Sequence, residues 1–252
     1  PPRPRWKRKP RLDGGCRNGK QGNMLFPVPL VPGRLVRRYK RFLADCYLDS
    51  GEAVTAHVAN SGSMLGLATP GARVYLAGSS DPKRKLAWSW QLVEANGALV
   101  GIDTGLSNRI VADAIAAGRI PALAGYQTLR REVAYGTRSR VDMLLEGEGR
   151  PPCYVEVKSV TLSRRAGIAE FPDAVTARGA KHLAELAAMV EAGARAVLLY
   201  LVQRGDCDRF EIAADIDPAY AAAAEAAHAA GVEMLVVRAD VTPAGIEIRS
   251  DF

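Results

Sequence analysis

The chain has 252 residues, 48% of them hydrophobic and 24% charged, enough for one large or two small domains with real cores. No apolar run approaches the roughly 18 residues of a membrane span, and three prolines interrupt Met24 to Pro32, which argues against a signal peptide. The formal net charge of +7 suggests nucleic acid until it is partitioned: residues 1–23 carry eight Lys and Arg against Asp13 alone, so that tail holds the whole excess and residues 24–252 sum to zero.

Residues 1–23 are rich in proline, glycine and arginine and read as a basic disordered tail, with Met24 after it as the natural start. Their charge is therefore not taken as evidence for DNA. Cys16, Cys46, Cys153 and Cys207 show neither a C-x-x-C pair nor histidines at zinc spacing, and read as reduced thiols of a cytoplasmic protein.

From residue 24 to about 103, short β-like runs alternate with turn residues: 41–48, 54–58, 73–77, 86–93 and 99–102, divided by Asp49-Ser50-Gly51, Thr69-Pro70-Gly71 and Asn96-Gly97. Five strands at this spacing predict a small OB-like barrel. Trp88 and Trp90, at i and i+2, follow Lys83, Arg84 and Lys85. A basic groove with an aromatic platform is how such barrels hold single strands, whereas the same tryptophans could equally fill the core. Arg37, Arg38, Lys40 and Arg41 around Tyr39 make a second basic cluster, readable as a DNA contact or as a charged edge against aggregation. Asn60-Ser61-Gly62-Ser63 is a polar turn whose backbone amides could meet phosphate.

From 104 to 252 the texture changes. Ser107 is a candidate cap for a helix through about 117, closed by Gly118. Strands follow at about 128–135, 139–145 and 153–161, then a helix at about 176–191 with Gly193 beyond it. An apolar strand at 196–202, an alanine-rich helix at 218–230 and a strand at 233–237 complete the order. The expected fold class is α+β: an N-terminal OB-like barrel (24–103) followed by an α/β domain (104–252) with a mixed sheet flanked by helices.

The chemistry concentrates in the three-strand meander. Centring a turn on Gly149 places Asp142 opposite Glu156 and Arg140 opposite Lys158; centring one on Thr137 places Glu132 opposite Asp142. Opposed side chains lie about 4.5–5.5 Å apart at Cβ and like charges repel. Three acids in a row across three strands therefore either splay into solvent or bind a cation, and Mg2+ or Mn2+ suits such hard oxygen donors. The alternative is an ordinary solvated sheet face with alternating charges.

The helix, three strands, helix, strand order, with an acid on the second strand and Glu156-x-Lys158 on the third, resembles the PD-(D/E)xK nuclease-like superfamily. More specifically, Arg38-Tyr39-Lys40-Arg41-Phe42-Leu43-Ala44-Asp45, Asn60-Ser61-Gly62-Ser63-Met64, Arg138-Ser139-Arg140-x-Asp142, Tyr154-Val155-Glu156-Val157-Lys158 and Phe171-Pro172-Asp173-Ala174-Val175-Thr176-x-Arg178-Gly179-x-Lys181-His182-Leu183 resemble the bacterial sugar fermentation stimulation protein A family. The resemblance implies an OB-like domain joined to a nuclease-like domain, DNA binding with little sequence preference, and a regulatory role in sugar, notably maltose, metabolism. It also implies Asp142 and Glu156 as metal-binding acids and Lys158 as the catalytic lysine. Glu132 is the candidate third ligand, and Asp113 on the first helix the other. Arg138, Arg140, Arg178, Lys181 and His182 join Arg38, Lys40, Arg41, Lys83, Arg84, Lys85, Trp88 and Trp90 as candidate DNA contacts. A metal-dependent deoxyribonuclease is the second function this set allows.

Overall fold

A computed structural model describes residues 23–136 and 139–249; the basic tail, Cys16 and Arg138 lie outside them. Two β systems share one chain. In the first, β2 (Val31–Tyr39), β3 (Leu43–Leu48), β4 (Ala53–His57), β5 (Arg73–Gly78), β6 (Trp88–Ala95) and β7 (Ala98–Gly101) follow the order β4-β3-β2-β5-β6-β7. Pairing of β4 with β6, Ala56 against Trp88, closes five of these strands into a barrel. Closure removes the sheet edges. The interior is filled by Leu35, Ala44, Val54, Ala56, Val74, Leu76, Trp90 and Val93. The expected first strand at 41–48 begins instead at Leu43, because Lys40 and Arg41 take positive φ values of 47° and 63° in the turn after β2. Strand β2 itself escaped the sequence reading, since Pro32 and Gly33 interrupt its pattern.

The second system is a seven-stranded mixed sheet, ordered β1-β16-β15-β13-β10-β9-β8. Its strands are β1 (Asn23–Leu25), β8 (Thr128–Tyr135), β9 (Ser139–Glu146), β10 (Cys153–Val160), β13 (Arg195–Val202), β15 (Glu233–Thr242) and β16 (Gly245–Ile248). Strands β10, β13 and β15 run parallel. Buried on both faces, β13 is one apolar run, as central parallel strands are. Helix α1 (Ser107–Ala116) covers one face, with Ile110, Val111 and Ala114 against Val155, Val197 and Leu199. Helices α2 (Ala177–Glu191) and α3 (Pro218–Ala229) cover the other, where Leu183, Leu186, Tyr220 and Ala224 meet Leu198, Tyr200 and Val202.

Three features depart from the expected order. Strand β1 leaves the barrel and pairs with β16, so that Met24 packs beside α1 in the second core. Strands β11 (Leu162–Arg165), β12 (Gly167–Phe171) and β14 (Cys207–Ile212) form a small separate sheet whose charged, short sequences carry little apolar alternation. Ser107 does not cap α1; a 3-10 turn over Thr104–Leu106, capped by Asp103, leads into the helix, and the Ser107 hydroxyl instead accepts from Gln203 Nε2. The two halves are joined by the Gly101 N–H, which donates to the Gln203 carbonyl, and by Leu92 of the barrel, which packs in the α1-side core. Among the described residues no helix is long and apolar enough to cross a membrane.

Candidate functional site

The turn arithmetic gives the register of the meander. Val155 pairs with Met143 and Tyr154 with Leu144; Arg131 pairs with Met143 and Val133 with Val141. The ladder between β9 and β10 stops at Met143 and Val155, one residue short of the acids. There the Asp142 side chain replaces backbone: its Oδ2 accepts from Val157 N–H at 2.7 Å, and its Oδ1 from Asn108 Nδ2 at 2.7 Å. A strand amide and an α1 amide thus clamp the carboxylate in one orientation where the two strands part.

Glu156 is 3% exposed on the α2 side of the sheet. Its Oε1 receives Lys158 Nζ at 2.8 Å and a short hydrogen bond from His182 Nδ1, while its Oε2 is buried with no partner. Arg178 Nε donates to His182 Nε2 at 3.3 Å, which places the imidazole proton on Nδ1, facing Glu156. Arg178 and His182 are one turn apart on α2, so the helix presents both to the same place. Burial acts to raise the Glu156 carboxyl, but the His182 hydrogen bond and the Lys158 charge outweigh it and hold the group below its ordinary value. Asp142 goes the other way: burial, then the Glu156 charge, raise it, only partly offset by its two hydrogen bonds. The two acids are therefore unequal, one matched by the Lys158 ammonium and the His182 N–H and the other by neutral donors alone.

Both line a cleft of about 720 Å³ between the barrel and the sheet. Lys158, Ser107, Asn108, Arg178 and His182 share it from the sheet side, and Arg41, Asn60, Ser61, Gly62 and Thr104 from the barrel side. The remaining wall is the Phe171–Thr176 segment leading into α2.

Several expected residues are placed elsewhere. Glu132 does not complete a row of three acids: it is exposed, bends the strand at a φ of 54°, and meets Asp142 only through Asn108, whose Nδ2 lies 3.3 Å from its Oε1. Among the described residues no three His, Cys, Asp or Glu side chains form a group that could hold a metal. Asp113, the other candidate, pairs with Arg109 on the outer face of α1. Arg140 is not opposite Lys158, since the ladder ends before it; it is exposed and pairs with Ala134. Trp90 is 0% exposed with its indole N–H on the Leu92 carbonyl, so it is core and not a stacking platform, and Trp88 packs half-buried against the same core. Arg38 spends its guanidinium on the carbonyls of Arg41, Asn60, Gly62 and Ser63. Lys83 and Lys85 are exposed, Arg84 donates to Ser89, Lys40 sits exposed in its turn, and Lys181 faces Glu185 outside the cleft. Asn108 and Asp173 are functional candidates that sequence reasoning passed over. Asparagine on a helix flank carries no pattern, and Asp173 is one acid in a loop.

The donor set is able to hold a hard divalent cation. Glu156 Oε2 is a buried carboxylate oxygen with no partner, Asp142 brings a second carboxylate whose two oxygens already accept hydrogen bonds, and two protein carboxylates leave positions for water and phosphate, as Mg2+ prefers.

A closed OB-type barrel joined to a mixed sheet, with two acids and a lysine in the cleft between them, defines the class. The model described as "SfsA N-terminal OB domain" matches residues 36–102, and "Sugar fermentation stimulation protein RE domain" matches residues 105–245. The sugar fermentation stimulation protein homolog of Rhodospirillum centenum is 64% identical over 225 residues, covering 89% of this chain and 97% of that protein. That of Ruegeria sp. is 60% identical over 226 residues, again 89% of this chain and 97% of the relative. The solved structure of Pyrococcus furiosus SfsA in complex with Ca2+ superposes with a TM-score of 0.81 at 27% identity, covering 90% of this chain and 96% of that one. The chain belongs to the sugar fermentation stimulation protein family.

Proposed function

We propose that this protein binds DNA with little sequence preference, and that the cleft between barrel and sheet receives the phosphodiester backbone beside a divalent cation held by Asp142 and Glu156. The observation that carries the reading is the buried, partnerless Oε2 of Glu156 in the same cleft as Asp142, whose carboxyl is raised by burial first and by the Glu156 charge second. Two carboxylates so arranged repel one another, and a cation between them relieves that repulsion while attracting phosphate. The relative crystallised with Ca2+ supports a cation in this family. Arg41 and Arg178 on the walls supply charge for neighbouring phosphates. The regulatory role in sugar metabolism that the resemblance implies would be exercised through this binding.

A second reading, hydrolysis of the phosphodiester, is favoured by Lys158. Its ammonium sits 2.8 Å from Glu156, inside the cleft and 13% exposed, where a purely electrostatic DNA contact would be solvated. A bound Mg2+ or Mn2+ would supply Lewis acidity and a more acidic water. Asp142 and Glu156 would hold it, with Asn108 and Val157 N–H fixing Asp142 and His182 fixing Glu156. Lys158 would orient the attacking water or offset charge growing on the phosphoryl oxygens.

The test is to incubate single-stranded, duplex and branched DNA with the protein in Mg2+ or Mn2+, beside Asp142→Ala and Lys158→Ala. Binding without cutting under any condition supports the first reading alone. Cutting by the parent protein that Lys158→Ala loses while still binding establishes the second. No binding to any DNA refutes both.

A further inference from the structure

The cleft has a strap across one end. The Asn60–Met64 segment of the barrel is fixed from below by Arg38, which donates to the carbonyls of Asn60, Gly62 and Ser63 at 2.9, 3.0 and 3.1 Å. Asn60 reaches back to the Ile102 carbonyl, and Thr104 donates through backbone and hydroxyl to the Ala59 carbonyl. On its far side the strap is tied to the segment that leads into α2: Ser63 Oγ donates to the Asp173 carbonyl at 2.6 Å, and Met64 N–H to Asp173 Oδ2 at 2.9 Å. Position 62 is glycine where a Cβ would stand 2.5 Å from Asp173 Oδ2. The strap and the 171–176 segment both line the cleft that holds Asp142, Glu156 and Lys158. With the tie made, the wall is continuous from Thr104 through the strap and Asp173 to Arg178.

A cleft of about 720 Å³ bounded in this way has the size of a small-molecule pocket. It accepts a nucleotide or two rather than a length of base-paired duplex. Val175, on the cleft wall, is 75% exposed, an apolar side chain held in solvent beside Arg178. An exposed aliphatic residue next to a cation suits an unstacked base with its phosphate, since apolar wedges separate base steps and unpaired bases offer a free face.

We infer that the cleft selects unpaired nucleotides, a single strand or a nucleotide turned out of a duplex, and that the Asp173 tie to the 60–64 strap is what excludes paired DNA. Building on the DNA-binding reading above, this names its substrate class and its specificity-determining residue. A duplex reaches the acid pair only by surrendering a base pair, which costs a few kcal/mol, or by breaking the tie.

The experiment measures anisotropy of labelled single-stranded, blunt duplex and gapped duplex DNA in Ca2+, with the parent protein, Asp173→Ala, Gly62→Ala and Val175→Ser, each checked for an unchanged far-ultraviolet spectrum. The parent is expected to hold single-stranded and gapped DNA at least about tenfold tighter than blunt duplex, the equivalent of about 1.4 kcal/mol. Asp173→Ala and Gly62→Ala, which undo the tie from opposite sides, are expected to shrink that ratio by improving duplex binding. Val175→Ser keeps the tie, and is expected to lose the rise in 2-aminopurine fluorescence that the parent causes when the probe base unstacks. Equal affinity for duplex and single strand in the parent overturns this inference and leaves DNA binding standing. An unchanged ratio in both tie variants overturns the role of Asp173. Failure to bind any of the three DNAs removes the reading on which the inference rests.

Discussion

At the scale of single residues, the site is an asymmetric pair of acids. Asp142 is charged, largely buried and beside Glu156, so its carboxyl is raised. The folded state then binds that proton more tightly than the unfolded chain, and the ionised group is a net cost above its ordinary titration range. Asp142→Asn is accordingly expected to raise the melting temperature at neutral pH in chelator by a few degrees, corresponding to roughly 1 kcal/mol in a chain of this size. The same variant is expected to lose the stabilisation that Mn2+ gives the parent, as differential scanning calorimetry with and without Mn2+ would show. Glu170 has the opposite sign. Its carboxylate, 1% exposed, accepts from Arg164 and Arg165, and the Arg164 hydrogen bonds hold it below the ordinary value. Stability from this group is full above the unfolded value of 4.5 and drains as pH falls from there through the lowered folded value. Glu170→Gln should flatten the acid limb of the stability curve, measured by urea titration between pH 6 and pH 3. The acid and lysine positions were legible because strand alternation and turn centring are arithmetic. The partners of those residues were not, since His182 and Asn108 reach the acids, and Arg178 reaches His182, from helices whose placement no local pattern specifies.

Elements explain why the site holds its shape. Asp217 caps α3 by accepting from Tyr220 N–H and, with its other oxygen, accepts from Thr176 N–H at the start of α2. One buried carboxylate thus fixes the helix that carries Arg178 and His182. Asp217→Ala removes a cap and strands an amide, and is expected to cost about 2–3 kcal/mol in chemical denaturation, with weaker cation binding at the acids. Trp90 is the largest fully buried side chain of the molecule among the described residues. Trp90→Ala should cost about 3–5 kcal/mol and unfold the barrel early on heating. Had it been a stacking platform, the same change would weaken DNA binding and spare stability. The elements that sequence reading found are those with clean periodicity, such as α1, α2 and β13. Of those it missed, β1 and β16 are only three and four residues long, and β2, β11, β12 and β14 are broken by proline or glycine, or alternate charges whose partners lie far along the chain: Arg164 pairs with Asp215, and Arg165 with Glu211.

For the whole molecule, the arrangement of two domains makes the function. Neither the barrel nor the sheet owns the cleft: Arg41 and the 60–62 strap come from one, the acids, Lys158 and α2 from the other, and Thr104 stands at the junction between them. Composition could not show this, because residues 24–252 carry no net charge and the attraction for phosphate has to be local. DNA affinity should therefore fall with salt only modestly, with a slope matching a few phosphates rather than the steep dependence of a broad basic surface, as anisotropy titrations from low to moderate salt would show. The cation ties these scales together, since it would neutralise the acids, brace the cleft and meet the phosphate. The most direct measurement is the affinity of a labelled single-stranded oligonucleotide in Ca2+ and in chelator, for the parent protein and for Asp142→Ala with Glu156→Ala. The parent should bind at least about tenfold tighter with Ca2+, a coupling of about 1.4 kcal/mol, and the double variant should show no such difference. Equal affinity with and without the cation in the parent, or an undiminished cation effect in the double variant, would contradict the account.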